Sequence, residues 1–227
     1  TCLIPRASVS VKDDWDCLGM RGTGSKTVSL NGEFVPDHRV LCFREAEQNG
    51  IPGSAINDGL LYKTSPNSTV FSFVVAAPAV GLAECAIEAY RDRLKSRTNA
   101  RMPSAQSEWA SSQQRLGRAR AQCDIAKATV LDSANELIGK LERGERVSAE
   151  ERVRYRMAMV EIVRICSELV YGLFCDAGTG VMMEGSELQR AFRDVHVLRS
   201  HFVILPEFAA ENAGRMQLGL DPVGPFV

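Results

Sequence analysis

The feature that most constrains this chain is a seven-residue spacing of apolar side chains, Trp109, Leu116, Cys123, Val130 and Leu137, with Ala126, Ala134 and Leu141 filling the same stripe. Such spacing returns side chains to one side of an α-helix and gives that helix a seam that another helix must cover. The segment from about 107 to 141 is therefore expected to be a long bundle helix. Its neighbours have the same character. From about 70 to 98, Ala76, Ala77, Ala79, Gly81 and Ala83 would let a second helix approach closely. A further helix opens with Ser148 as N-cap and Glu151 three residues on, a capping box, and runs through Val153, Met157, Val160, Val163, Cys166, Val170 and Phe174 to stop at Gly178. A short helix beginning near Glu187 and a last one, Glu207 to Leu218 after Pro206, complete the pattern of an up-down four-helix bundle.

The N-terminal part reads differently. Val9 and Val11 alternate with serines, Val28 and Leu30 alternate with Thr27 and Ser29, and Asn31-Gly32 is a hairpin signal before Phe34-Val35-Pro36. This is the pattern of a small antiparallel sheet. Between the two alternating runs, Trp15 to Ser25 carries three glycines, which permit close approach of backbone to a neighbour or ligand. Arg44 to Ser68 has no sustained periodicity and reads as a surface linker or a lid. The expected organisation is a β portion over residues 1–43, a connection over 44–69 and a helical bundle over 70–227, so the fold class is mainly α with a small antiparallel β portion. Cys2-Leu3-Ile4-Pro5 reads as the middle of a strand, and the chain is expected to be the later part of a longer protein.

With 227 residues, 45% of them hydrophobic and 24% charged, the chain can bury a sizeable core. A formal net charge of −1 gives no global electrostatic reason for nucleic acid or an anionic membrane as partner. The longest apolar candidate, around Val70 to Ile87, is cut by Pro78, Gly81 and Glu84 and falls short of the roughly 20 uninterrupted residues that cross a bilayer. Seven cysteines, an odd number with no CxxC pair, read as reduced core residues of a cytoplasmic protein; neither a disulfide framework nor a metal site is expected.

Titratable groups concentrate in Arg193-Asp194-Val195-His196-Val197-Leu198-Arg199-Ser200-His201, which holds two of the three histidines. His196 could reach Arg193 or Asp194 on a helix, and a structural hydrogen bond is its expected job. His201 lies at a break between helices, before Phe202-Val203-Ile204-Leu205, where it could face a closed pocket with its protonation sensitive to burial. His38, after Pro36-Asp37, reads as a surface turn residue. The basic cluster Arg91, Arg93, Lys95, Arg97 and Arg101 could grip a phosphate, although a solvated helix end is the default for cations there. No Ser-His-Asp order, zinc signature or phosphate-binding loop is present, and Gly178-Thr179-Gly180 is too short for a dinucleotide fingerprint.

The run WDCLGMRGTGSKTVSLNGEFVPDHRV, Trp15 to Val40, resembles the end of the β-domain in the acyl-CoA dehydrogenase superfamily, and the bundle, the AGTG turn and the RDVH segment continue the likeness in order. The stretch RAFRDVHVLRSHFVILPEFAAENAGRMQLGL is more similar to the two-component flavin-dependent monooxygenases of that superfamily, such as the p-hydroxyphenylacetate hydroxylases, than to its dehydrogenases. Those dehydrogenases commonly place a catalytic glutamate where this chain has Ser200-His201-Phe202.

The resemblance implies an oxygenase component that takes reduced FMN or FAD from a separate flavin reductase. It would react with O2 through a flavin hydroperoxide and hydroxylate a small phenolic or polycyclic aromatic substrate. It implies His201 beside the flavin as the catalytic group; Trp15, Arg21 and Ser25 near the flavin; Arg97 first and Arg93 second as a phosphate grip across a subunit interface; Gly178 and Gly180 in a turn near the cofactor; and Arg193, Asp194 and His196 in support. It further implies a homotetramer, a dimer of dimers. The alternatives are an acyl-CoA dehydrogenase-like flavin oxidoreductase and a non-catalytic oligomerisation fragment.

Overall fold

The computed structural model describes residues 1–63, 68–96, 98–99 and 102–224. Its helices are α1 (Phe43–Asn49), α2 (Leu60–Lys63), α3 (Ser68–Ser96), α4 (Ala110–Glu142), α5 (Ala149–Asp176), α6 (Glu187–Arg199) and α7 (Pro206–Gln217). The strands are β1 (Ser10–Val11), β2 (Val28–Ser29), β3 (Thr98–Asn99) and β4 (Met102–Ala105). The fold is thus mainly α with a small antiparallel β portion, and the long helices form the bundle.

The central element is α5, which packs against α3, α4, α6 and α7. On α3 the fully buried positions Ala76, Ala79, Ala83 and Ala86 recur every three or four residues, so α5 approaches a flank that projects almost nothing beyond Cβ. On α4 the seven-residue stripe points inward, with Cys123, Ala126, Val130, Leu137 and Leu141 buried. The capping box forms in both directions: the Glu151 N–H donates to Ser148 Oγ at 3.2 Å and the Ser148 N–H donates to Glu151 Oε2 at 2.9 Å.

Pro78 does not interrupt α3. Its missing N–H leaves the carbonyl of Val74 without its helical donor, and both Pro78 and Val74 face outward, where water can serve that carbonyl. By length and composition Thr69–Ser96 is long and apolar enough to cross a membrane, which the reading of short interrupted runs overlooked. Its buried stripe is core packing against α5.

The expected connection over 44–69 contains α1, a 3-10 turn at Pro52–Ala55 and α2. Helices of 7 and 4 residues end before a period can show. Gly50 closes α1 at φ +82°, its N–H donating to Ala46 O at 2.9 Å. The β portion is also rearranged relative to its sequence signal. Gly32 takes φ +64° as the turn requires, but β2 pairs with β1, Ser10 opposite Ser29 and Val11 opposite Val28, enclosing the whole glycine-rich loop. Near the start, Cys2 forms an antiparallel bridge with Val40.

Candidate functional site

α6 organises the site. Ser186 caps it, its Oγ accepting the Gln189 N–H, and Leu188, Ala191, Val195 and Leu198 bury one face in the bundle. Arg193 and Asp194 lie on its flank and hold the Trp15–Ser25 loop. The Met20 N–H donates to Asp194 Oδ1 at 2.6 Å, and Arg193 Nη1 donates to the Leu18 carbonyl at 3.0 Å. Between those two bonds sits Gly19, where a Cβ would lie 2.3 Å from the Arg193 carbonyl oxygen. Only glycine allows this contact.

The loop is braced internally. Trp15 Nε1–H and the Thr23 hydroxyl both donate to the Met20 carbonyl, at 3.0 and 2.8 Å. Met20 takes φ +53°, the one non-glycine residue with positive φ among those described. Arg21 Nε donates to the Cys17 carbonyl at 2.9 Å, and Arg21 and Ser25 are exposed on the outer side of the loop. The reading of Arg193 and Asp194 as supporting residues thus acquires a specific partner, while Gly19 is a position that the sequence marked only as one glycine of three.

Beside the N-terminal end of α6 a second cluster forms. Arg93, on the last turn of α3, donates from Nε to the Ala177 carbonyl at 2.7 Å and lies along Gly180, where a Cβ would come within 2.7 Å of Nη2. Gly178 adopts φ +75°, so the AGTG turn needs both glycines for backbone reasons. Arg93, Gly180, Val181, Ser186 and Leu188 line a cleft of about 330 Å3. The end of α5 is further anchored at Asp176, whose carboxylate accepts the hydroxyl of the buried Tyr90 and pairs with Arg115. Tyr90 and Asp176 escaped sequence reasoning because nothing in a helix period signals a partner 86 residues away. Arg97 and Arg101 lie outside the described residues, and Arg91 pairs with its neighbour Asp92 on the surface.

Two of the histidines differ from expectation, His196 in its partner and His201 in its exposure. His196 reaches neither Arg193 nor Asp194: its Nδ1 lies 2.7 Å from the Phe192 carbonyl, and its ring packs on Phe192 with Tyr171 edge-on. The carbonyl four residues back lies beneath its own side chain, whereas Asp194 is occupied by Met20. His201 is exposed in this chain instead of enclosed, because Val203 and Ile204 take the inward positions after the helix break. His201 N-caps the 3-10 turn Phe202–Ile204, its Nδ1 accepting the Val203 N–H at 3.3 Å, and its ring stacks on Phe202. A ring nitrogen that accepts carries no proton, so the neutral ring bears its proton on Nε2. His196 has the opposite assignment, Nδ1–H donating to a carbonyl. His38 sits exposed in the 3-10 turn Asp37–Arg39.

Residues 73–206 match the acyl-CoA dehydrogenase C-terminal domain. The chain is 32% identical over 219 residues to the oxygenase subunit HsaA, a flavin-dependent monooxygenase, of Rhodococcus jostii, covering 96% of this chain and 57% of that protein. The crystal structure of the HsaA monooxygenase from M. tuberculosis superposes with a TM-score of 0.90 at 29% identity, over 100% of this chain and 57% of that one. XiaF from Streptomyces, solved with FADH2 and glycerol, superposes with a TM-score of 0.84 at 27% identity, over 99% and 56% respectively. The chain spans a little over half the length of the curated relatives it matches.

Proposed function

The chain belongs to the acyl-CoA dehydrogenase family through its C-terminal domain, and from that premise we propose that it serves the oxygenase component of a two-component monooxygenase acting on aromatic substrates. The observation that carries this reading is the chain-long likeness to oxygenase subunits, joined to an exposed imidazole that a backbone bond keeps in its Nε2–H form. Reduced FMN or FAD, delivered by a separate reductase, would supply the two electrons with which one atom of O2 enters the ring and the other leaves as water.

The residues present fit a phosphate-bearing flavin. Gly180 makes room for the Arg93 guanidinium, which lines a cleft together with the glycine turn and the side chains of Asp92 and Glu187; a phosphate there would be held by the arginine against those two carboxylates. Arg93, Gly178 and Gly180 would hold that end, with Arg97 beside them by resemblance. Trp15, Arg21 and Ser25 would lie along the flavin, held in place by Asp194 and Arg193. His201 would present its Nε2 proton to the oxygen being reduced. His196, tied to its own helix, orients the aromatic packing of Phe192. Arg93 and Arg97 would grip the phosphate of a flavin lying against a second copy of the chain, across a subunit interface.

The outer face of α4 supports self-assembly into a homotetramer. Gly117, Ala121, Ile125, Ala128, Leu131 and Ile138 follow one another at helical spacing, all exposed and none charged. A cytoplasmic location fits a flavin reductase partner.

The test uses the full-length gene product, reduced FMN or FAD, and a panel of phenols under labelled O2. Incorporation of one labelled atom per product is expected. His201→Ala should lower hydroxylated product per O2 consumed by about tenfold or more. An unchanged yield removes His201 from this role, and failure to bind either reduced flavin leaves the oligomerisation reading.

A further inference from the structure

We propose that Arg156 is a positioning residue for His201, acting through the backbone of Val203. This rests on the role assigned to His201 above. Arg156 stands on α5, and its Nε donates to the Val203 carbonyl at 3.0 Å. The N–H of the same Val203 donates to His201 Nδ1. Both backbone polar groups of one residue are therefore engaged, the carbonyl by a side chain of the bundle and the amide by the imidazole.

The turn that carries this connection is short. Phe202–Ile204 is a three-residue 3-10 turn in which the Ile204 N–H donates to His201 O at 3.0 Å. Such turns have poor hydrogen-bond geometry and take their shape from their surroundings. Two kinds of surroundings act here. Val203 and Ile204 bury their side chains in the core, a contact that sets how deep the turn sits and is not directional. The bond from Arg156 supplies the missing direction, since a hydrogen bond to a carbonyl is angular where apolar packing is not.

The guanidinium is an expensive choice for this position. Burial pulls the Arg156 pKa below its ordinary value, so the protein holds a cation in a place that disfavours charge. A methionine of similar length would fill the same volume without that cost. What it could not supply is a fixed donor toward Val203. With the Val203 N–H kept in line, His201 Nδ1 remains an acceptor and the proton stays on Nε2, the side facing outward. The His201 ring also stacks on Phe202.

The experiment has two arms. In the purified chain with ring-15N histidine, the three histidines are few enough to assign individually. His201 Nδ1 is expected to resonate as an unprotonated, hydrogen-bonded nitrogen and His196 Nδ1 as a protonated one. A protonated His201 Nδ1 in the neutral wild-type ring overturns the proposal outright. In Arg156→Met, exchange of the Val203 amide should rise about tenfold or more, with the His201 signal moving and the His196 signal unchanged; exchange within about twofold of wild type overturns it. Arg156→Lys, which keeps a donor and a charge, should restore most of the protection. If the methionine variant does not fold, Arg156→Gln replaces it, its amide being too short to reach Val203.

The second arm measures product per O2 in the full-length gene product. Arg156→Met should reduce it about fivefold in the wild-type background and by less than about twofold when His201 is already alanine. Equal losses in both backgrounds would mean that Arg156 acts independently of His201. Should His201→Ala itself change nothing, the functional reading fails while the exchange measurement still decides the link between Arg156 and His201.

Discussion

The first 43 residues and the bundle are stabilised in opposite ways. In the bundle, side chains such as Ala76, Met159, Val163 and Val170 are completely buried, and the inward stripes of α3, α4 and α5 cover one another. Among the first 43 residues only Gly19 is buried, and Leu3, Val28 and Phe34 are 71%, 61% and 86% exposed. A two-stranded ladder with its apolar side chains turned outward has no core of its own. Its orientation comes from directional bonds to α6, through Asp194, Arg193 and the close contact at Gly19. One region is held mainly by packing, and the other is attached to it by a few polar bonds and the half-buried Met20 side chain at the place where the candidate site lies.

That contrast predicts which substitutions act globally. Leu173→Ala, at 1% exposure in the bundle, should cost about 2–5 kcal/mol and lower the melting temperature of the whole chain, protection being lost in both regions together. Asp194→Ala, which strands the Met20 N–H, should cost about 1–3 kcal/mol but only locally. Amides of the Trp15–Ser25 loop would exchange faster while those of α5 keep their protection. Gly19→Ala should give the same local pattern, because its new Cβ meets backbone that cannot move aside. Uniform acceleration in both regions would show that they unfold as a unit and would break the comparison.

The bundle also has a pH-dependent element. The Lys140 ammonium, and after it the Ser148 N–H, hold the Glu151 carboxyl down to about 2. A carboxyl depressed in the folded state contributes stability that is complete above its ordinary value and is lost as pH falls through the folded one. Glu151→Gln should therefore lower the melting temperature at neutral pH, with the deficit shrinking between about pH 4.5 and about pH 2. A deficit independent of pH would assign the effect to packing. The smallest change is expected from Val28→Thr on the exposed ladder, within about 0.5 kcal/mol and measurable as a melting shift of no more than about 2 °C.

Much of the bundle was readable because helical periodicity is a local code. The Ser148–Glu151 box falls within one turn and the seven-residue stripe of α4 within one continuous helix, and each appears where its spacing requires. The connection over 44–69 was less legible, since α1 and α2 are too short to display a period. The pairing of β1 with β2 was hidden behind a stronger local signal at Asn31-Gly32, which makes its turn without closing a ladder. For the site, the sequence marked the residue types and the stretch, including Arg193 and Asp194, but it carried no record of what they touch. His201 illustrates the limit: its place at a helix break could be read, whereas its exposure depends on Val203 and Ile204 turning inward.

By itself the sequence determined the helices, their caps and the stripes that must be covered, because those depend on spacing and propensity within a single segment. Only the tertiary structure decided that Gly19 rests on Arg193, that Arg93 lies along Gly180, and that Arg156 reaches Val203. Those contacts join residues between 47 and 174 positions apart. Their existence follows from how the helices cross and how close their backbones come, and no pattern confined to one segment encodes that distance.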